Sequence, residues 1–324
     1  MSNANPSLIN VTSVQQYQGA LERALFSTLT TLPCCVFLFI NGTMLFTLRS
    51  KAVFCETSRY MLLFNLLFAD TVQMALSQLL YIMAVCRITL TYPLCGALTS
   101  LANLTTVISP LTLVLMSLER YVAVCYPLRH ATIVTMRNTA VAIVLAWAFS
   151  SLHIVIRVFL MLEFPFEDMP NLQMKDFCSY VAMLLGSTSD QYDKSFTCFL
   201  FVSAGLVVIS TYIRVIIAAR AASTDKAIAH KARKTLLLHL FQLGLSLSST
   251  IYHPLLIALS RILTRIVFMR IQNVLYVCIF IFPRCLSSLI YGIRDQSIRP
   301  VLVYNLCCRL KLSVIPVSIG PTVG

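Results

Sequence analysis

MSLERYVAVCYPLRH, residues 116–130, ends a long apolar run on an acid and a base side by side, Glu119 and Arg120, with Tyr121, Pro127, Arg129 and His130 close behind. Such a pair costs little at a helix end, where headgroups and water reach it, and a great deal at mid-bilayer. The stretch therefore reads as the place where a membrane-spanning segment leaves the lipid. Upstream of it, residues 94–119 carry no charge before Glu119 itself.

The rest of the chain has the same texture. Of 324 residues, 58% are hydrophobic and 11% charged, and the mean hydropathy is +0.82. That is more apolar surface than one soluble core can hide, so the class is a polytopic membrane protein. Apolar runs of about 20 residues, the length that crosses roughly 30 Å of hydrocarbon, lie at 24–48, 60–83, 94–119, 139–162, 196–218, 235–259 and 271–293. They lack the period-2 alternation of barrel strands, and lipid leaves no partner for unpaired backbone groups, so helices are predicted. The expected architecture is an all-α bundle of seven transmembrane helices over 24–293. A polar extracellular tail, 1–23, precedes it, and a cytoplasmic tail, 294–324, follows with a short amphipathic helix. The first 23 residues hold no short apolar core with a cleavage site, so no removable signal peptide is expected. The first span would serve as its own insertion signal.

Between the spans, sixteen basic residues fall on one side and seven on the other. Basic loops mark the cytoplasmic face, which puts the amino terminus outside and the carboxyl terminus inside. The net charge of +13 then needs no nucleic acid, because anionic membrane lipid and a cytosolic partner account for it.

With the spans in order, the sequence resembles the rhodopsin-like (class A) G-protein-coupled receptors. MSLERYVAVCYPLRH is similar to the MAYDRYVAICxPLxY signature of olfactory receptors. Asn41 in FINGTML, Asp70 in LLFADTVQ, Cys95 at the start of span three and Trp147 on span four fit the same pattern. So do KARKTLLLHL at 231–240, similar to the olfactory KAxxTCxxHL, and LIYGIRD at the end of span seven. Each fragment alone is weak, but their order across nearly the whole chain is specific. Glu119 in place of Asp points to the fish-type odorant branch.

The resemblance implies a multi-pass plasma-membrane receptor, not an enzyme, with no cofactor or metal. Its partners would be a small-molecule odorant and a heterotrimeric G protein. Glu119 would hold Arg120 at rest and release it toward the G protein. Tyr121, Tyr212 and Tyr291 belong to the same coupling machinery, as does the basic foot of span six at Lys231, Arg233 and Lys234. The family's ligand pocket maps onto Ala102, Asn103, Thr106 and Val107, onto Tyr252, Leu255, Leu256 and Leu259, and onto Asn273 and Val277. This lining is mostly apolar, and Ala102 stands where aminergic receptors place their amine-binding acid. Tyr252 lies two residues before Pro254, whose missing N–H permits a kink, so Tyr252 is expected either to bias the swing of span six or to serve as a core aromatic. A class A receptor for a lipid or peptide is the alternative. A transporter would need paired halves with broken helices, and no internal repeat is found.

Three charges lie clearly within the membrane, away from the cytoplasmic span ends: Asp70, Arg157 and Arg284. At 1.5 Å per residue, Asp70 and Ser109 lie about 15 Å, and Arg284 about 13 Å, from the cytoplasmic ends of their helices, so they can share one layer. In relatives the aspartate binds sodium with help from a helix-three serine and an asparagine of span seven. Here Ser287 and Ser288 replace Asn-Pro. Arg284 is therefore expected to supply the positive charge to Asp70, with snorkelling as the alternative; Asn41 and Ser287 complete this polar core. Arg157 lies about 8 Å from the outer end of span four, and two readings stand open for it: a snorkelling side chain or an anchor for an anionic ligand.

The resemblance implies a Cys95–Cys178 disulfide outside; Cys86 is left over, either unpaired or paired with Cys198 at the outer edge of span five. Cys307 and Cys308 read either as acylation sites or as reduced thiols. Of three N-x-S/T matches, Asn10 alone lies outside the spans and is the expected glycosylation site.

Overall fold

The computed structural model describes residues 6–162, 173–174, 177–183, 186–222, 241, 244–245, 248, 252–260, 262–263, 265–295 and 298–312. For 6–23, 219–222, 306–312 and scattered positions of the last helices, it describes the backbone alone. Helix one runs Pro6–Arg49, helix two Ser58–Val85, helix three Tyr92–Cys125, helix four Met136–Leu162 and helix five Gly186–Ala222. Among the described residues these are the five helices long and apolar enough to cross a membrane. Helix six is described over Tyr252–Ser260, and helix seven runs unbroken from Arg265 to Arg294 through a π-helical stretch at Tyr276–Ile281. No strand occurs among the described residues. Lys231, Arg233 and Lys234 lie outside them.

Helix three is the hub, packed against helices two, four and five. Of its most apolar window 61% is buried, against 22% in helix four, whose Val144, Leu145 and Phe159 point outward as lipid-facing side chains do. Pro110 sits inside helix three. Around it the hydroxyls of Thr105 and Thr106 donate to the Ala102 carbonyl and that of Thr112 to the Ile108 carbonyl, about one turn back, so these polar side chains are satisfied within the helix. The inner core gathers Met44, Leu48, Leu66, Leu113, Met116 and Tyr212.

The ends of the elements depart from their expected limits for identifiable reasons. Helix one begins at Pro6, so the expected tail is helical in its backbone from there on. Helix five begins at Gly186 rather than near 196, because its charges find partners: Lys194 pairs with Asp190 one turn away, and Asp193 pairs with Arg157 of helix four. This shift corrects the Cys86–Cys198 pairing. Cys198 lies about 18 Å down the lengthened helix, and both thiols are free and exposed.

Cys95 and Cys178 are joined, with Cα atoms 5.6 Å apart. The same loop is held by Met174, whose N–H donates to the Leu90 carbonyl at 3.0 Å. At the other end, Ile298–Leu312 forms a helix that lies on helix one, where Asn305 Nδ2 donates to Thr47 Oγ1 at 2.9 Å. Gly292 makes room for it: a Cβ there would stand 2.6 Å from Leu302.

Candidate functional site

A charged layer crosses the middle of the bundle. Arg284 Nη1 lies 3.3 Å from Asp70 Oδ1, with side-chain exposures of 1% and 3%, and Ser109 Oγ donates to the same carboxylate oxygen at 2.7 Å. Helices two, three and seven thus meet on one carboxylate. A buried carboxylate left alone is strongly disfavoured, and the guanidinium supplies the countercharge from within the chain. Asn41 is fully buried on helix one, and its amide has no hydrogen-bond partner among the described residues. Ser287 lies on helix seven, where its side chain is not described.

Above the layer stands an aromatic column. The Arg284 guanidinium sits 4.6 Å from the Phe280 ring centroid. Phe280 stacks on Tyr276 at 5.3 Å, Tyr276 on Tyr81 at 5.7 Å, and Tyr252 of helix six meets Phe280 at 5.4 Å and Tyr276 at 6.0 Å. Leu256 joins the same cluster. The π-helical stretch falls at this point of helix seven, a distortion common at functional sites. A side chain on helix six is therefore connected by contact to the ionic layer.

The mouth of the bundle at which helix three ends, expected from the basic loops to be the inner one, is built on Glu119. Arg120 Nε lies 3.4 Å from its Oε2, and His130 Nε2 lies 3.9 Å from its Oε1. Tyr121 meets Tyr126 edge to face at 5.8 Å and faces the Arg214 guanidinium of helix five. Tyr212 is buried against helix three. Asp295, just past helix seven, takes Arg59 at 3.3 Å and the Tyr60 hydroxyl at 3.2 Å, and accepts the Ile298 N–H at 3.4 Å. It joins helix two to the start of the C-terminal helix. The Tyr291 side chain is not described.

Toward the opposite mouth, expected to be the outer one, Ala102, Asn103 and Val107 are buried on helix three, and Thr106 is half-buried with its hydroxyl on the Ala102 carbonyl. Leu255, Leu259, Asn273 and Val277 are half-buried. Arg157 does not snorkel. Its side chain is 10% exposed, 3.4 Å from Asp193, with the Tyr180 ring 4.7 Å away. The reason is the early start of helix five, which brings Asp193 opposite Arg157. Burial pushes the Tyr180 phenol well above its ordinary range.

The sequence profile of the 7 transmembrane receptor (rhodopsin family) matches residues 40–307. The chain belongs to that family. The receptor is 33% identical to zebrafish Odorant receptor 131-2 over 276 residues, 84% of this chain and 83% of the relative. It is 26% identical to human Olfactory receptor 4K15 over 271 residues, covering 82% and 80% of the two chains. Rat Olfactory receptor 1500 is 30% identical over 104 residues, 32% of each chain. As a member of a receptor family it is a multi-pass plasma-membrane protein and not an enzyme.

Several of the receptor's polar links escaped the reading of the sequence. Trp147 Nε1 donates to Asn65 Oδ1 at 2.9 Å, and Asn65 Nδ2 donates to Thr112 Oγ1 at 2.8 Å, tying helices four, two and three. Thr105 Oγ1 donates to Gln73 Oε1 at 2.6 Å. The column had a readable signal: Tyr276, Phe280 and Arg284 recur every four residues and so share one helix face.

Proposed function

We propose that this receptor is an odorant receptor. A small molecule binds in the outer half of the bundle, and a heterotrimeric G protein is activated at the cytoplasmic face. The observation that carries this reading is the layout of helix three, which has Cys95 in a disulfide at one end and the Glu119–Arg120 pair at the other. Stable disulfides belong to the oxidising side, which supports an outward position for that end and for the amino terminus with Asn10. The names of the relatives support odorant recognition.

Between the two mouths, Tyr252, Phe280, Arg284, Asp70 and Ser109 form an unbroken series of contacts. Ligand contact at the Tyr252 end biases the packing of helix six, and the bias reaches the inner mouth through helices two, three and seven. Arg120, held by Glu119 at rest, is freed to meet the G protein, while the basic foot at Lys231, Arg233 and Lys234 moves with helix six. Arg284 takes the place of a bound cation beside Asp70, so signalling is insensitive to sodium.

The test is to express the full chain with an olfactory-type and a promiscuous G protein and to screen odorants by cyclic AMP and calcium. The reading requires an odorant-evoked signal that disappears in Arg120→Ala at equal surface expression. Silence of the surface-expressed receptor to every odorant, with either G protein, contradicts it.

A further inference from the structure

We propose that the outer ends of helices four and five form a binding site for a small zwitterion, with Arg157 taking its carboxylate and Asp193 its ammonium. This rests on the odorant-receptor reading and names a ligand class for it.

Three observations carry the proposal. First, the pair is buried and the Tyr180 hydroxyl bonds to both partners, but one guanidinium donor is unused. Arg157 and Asp193 are 10% and 7% exposed and 3.4 Å apart, yet the buried Nη1 of Arg157 makes no hydrogen bond among the described residues. Arginine and carboxylate close readily into two parallel hydrogen bonds, and a guanidinium has five donors to place. A buried ion pair is also weak as a source of stability, since apolar side chains of similar volume serve as well or better. The charges here therefore invite a use other than holding two helices together.

Second, aromatic faces surround them. Tyr180 covers the guanidinium at 4.7 Å, and Tyr192 and Phe196 stand on helix five with ring centroids 6.1 Å apart. His153 stacks on Phe196 at 3.6 Å, with its Nδ1 3.1 Å from the Tyr192 hydroxyl. Aromatic faces next to a carboxylate suit an ammonium group, and planar guanidinium suits a carboxylate.

Third, the charges at this end are sorted. Ala102 on helix three provides no acid, and Asp190 lies on the exposed face paired with Lys194. Asp193 is left as the inward-facing carboxylate of helix five among the described residues.

These observations select a zwitterion over a simple amine or acid. A zwitterion laid head to tail beside the pair gives each protein charge a second opposite neighbour and brings no net charge into the site. A lone amine would meet Arg157, and a lone carboxylate would meet Asp193, each as a like charge in a poorly screened place. The short separation within the pair favours a ligand whose two charges sit on adjacent carbons, as in an α-amino acid. Tyr180 stands two residues from Cys178, so such a ligand would also press the loop toward helix three through the disulfide.

The test compares alanine, methionine and phenylalanine with their amine and carboxylic-acid counterparts and with neutral aldehydes. Full-length receptor is assayed by cyclic AMP, and purified receptor by thermal shift. Zwitterions are expected to act at lower concentration than either single-charge analogue. Arg157→Gln and Asp193→Asn are each expected to weaken the zwitterion response by about 30-fold or more, as removal of one buried charge partner does. The two variants should also diverge: Arg157→Gln gains response to amines, and Asp193→Asn gains response to acids. A purely structural pair would not produce that exchange. Response to neutral aldehydes alone overturns the site and leaves the odorant reading standing. A thermal shift with zwitterions but no signal from any G protein upholds the site and overturns the coupling. Neither shift nor signal with any zwitterion overturns the site.

Discussion

Two buried arginine–aspartate pairs lie in the same bundle, and their surroundings differ. Arg284–Asp70 is closed: exposures are 1% and 3%, Ser109 takes up the carboxylate, and Phe280 backs the guanidinium. Arg157–Asp193 is more open, at 10% and 7%, and lies beside a loop. A third pair, Glu119–Arg120, has Arg120 30% exposed at the inner mouth. The difference teaches how one kind of contact can serve separate ends. A sealed pair fixes the packing of helices two, three and seven, whereas a pair with access can trade partners.

The sharpest break in this comparison is at the sealed pair. Arg284→Met leaves the Asp70 carboxylate buried with the Ser109 hydroxyl but without its countercharge and is expected to cost about 3–5 kcal/mol, seen as loss of surface receptor and a lowered melting temperature. Adding Asp70→Asn should restore most of the loss; no restoration would mean that the two charges do not act as a pair.

Next in size is a packing effect remote from any charge. Gly292→Val drives side-chain atoms into Leu302 and Met44, and overpacking of this kind costs about 1–3 kcal/mol. Crosslinking between positions 47 and 305 should fall as the C-terminal helix lifts from helix one.

A neutral polar link should matter less. Trp147→Phe leaves Asn65 Oδ1 without its donor, at about 1–3 kcal/mol when the acceptor stays dry and less where water reaches it. Thermal denaturation in detergent measures it.

The smallest change in stability belongs to the inner mouth. Glu119→Gln at this partly exposed pair should shift stability by less than about 1 kcal/mol while raising ligand-free signalling. Lower basal signalling would show that Glu119 does not restrain Arg120.

The span-forming runs were readable because lipid imposes one length and one polarity on every crossing segment. The shared layer of Asp70, Ser109 and Arg284 could also be anticipated, since helical rise converts sequence position into depth. Helix five was cut short because Asp190, Asp193 and Lys194 look too polar for a span when read singly. Their partners lie one turn away or on helix four, and a hydropathy run cannot register a charge cancelled from another helix. The same cancellation from another helix hides the partner of Arg157 from a reading of span four alone. The hydrogen bonds of Trp147, Asn65 and Thr112 depend on which helices meet, which no single segment records.

Ligand binding and G-protein activation, measured together on Arg120→Ala at matched surface expression, test the account most directly. Binding at the outer mouth should remain near that of the parent receptor, and G-protein activation should be lost. Undiminished activation would contradict the assignment of the inner mouth.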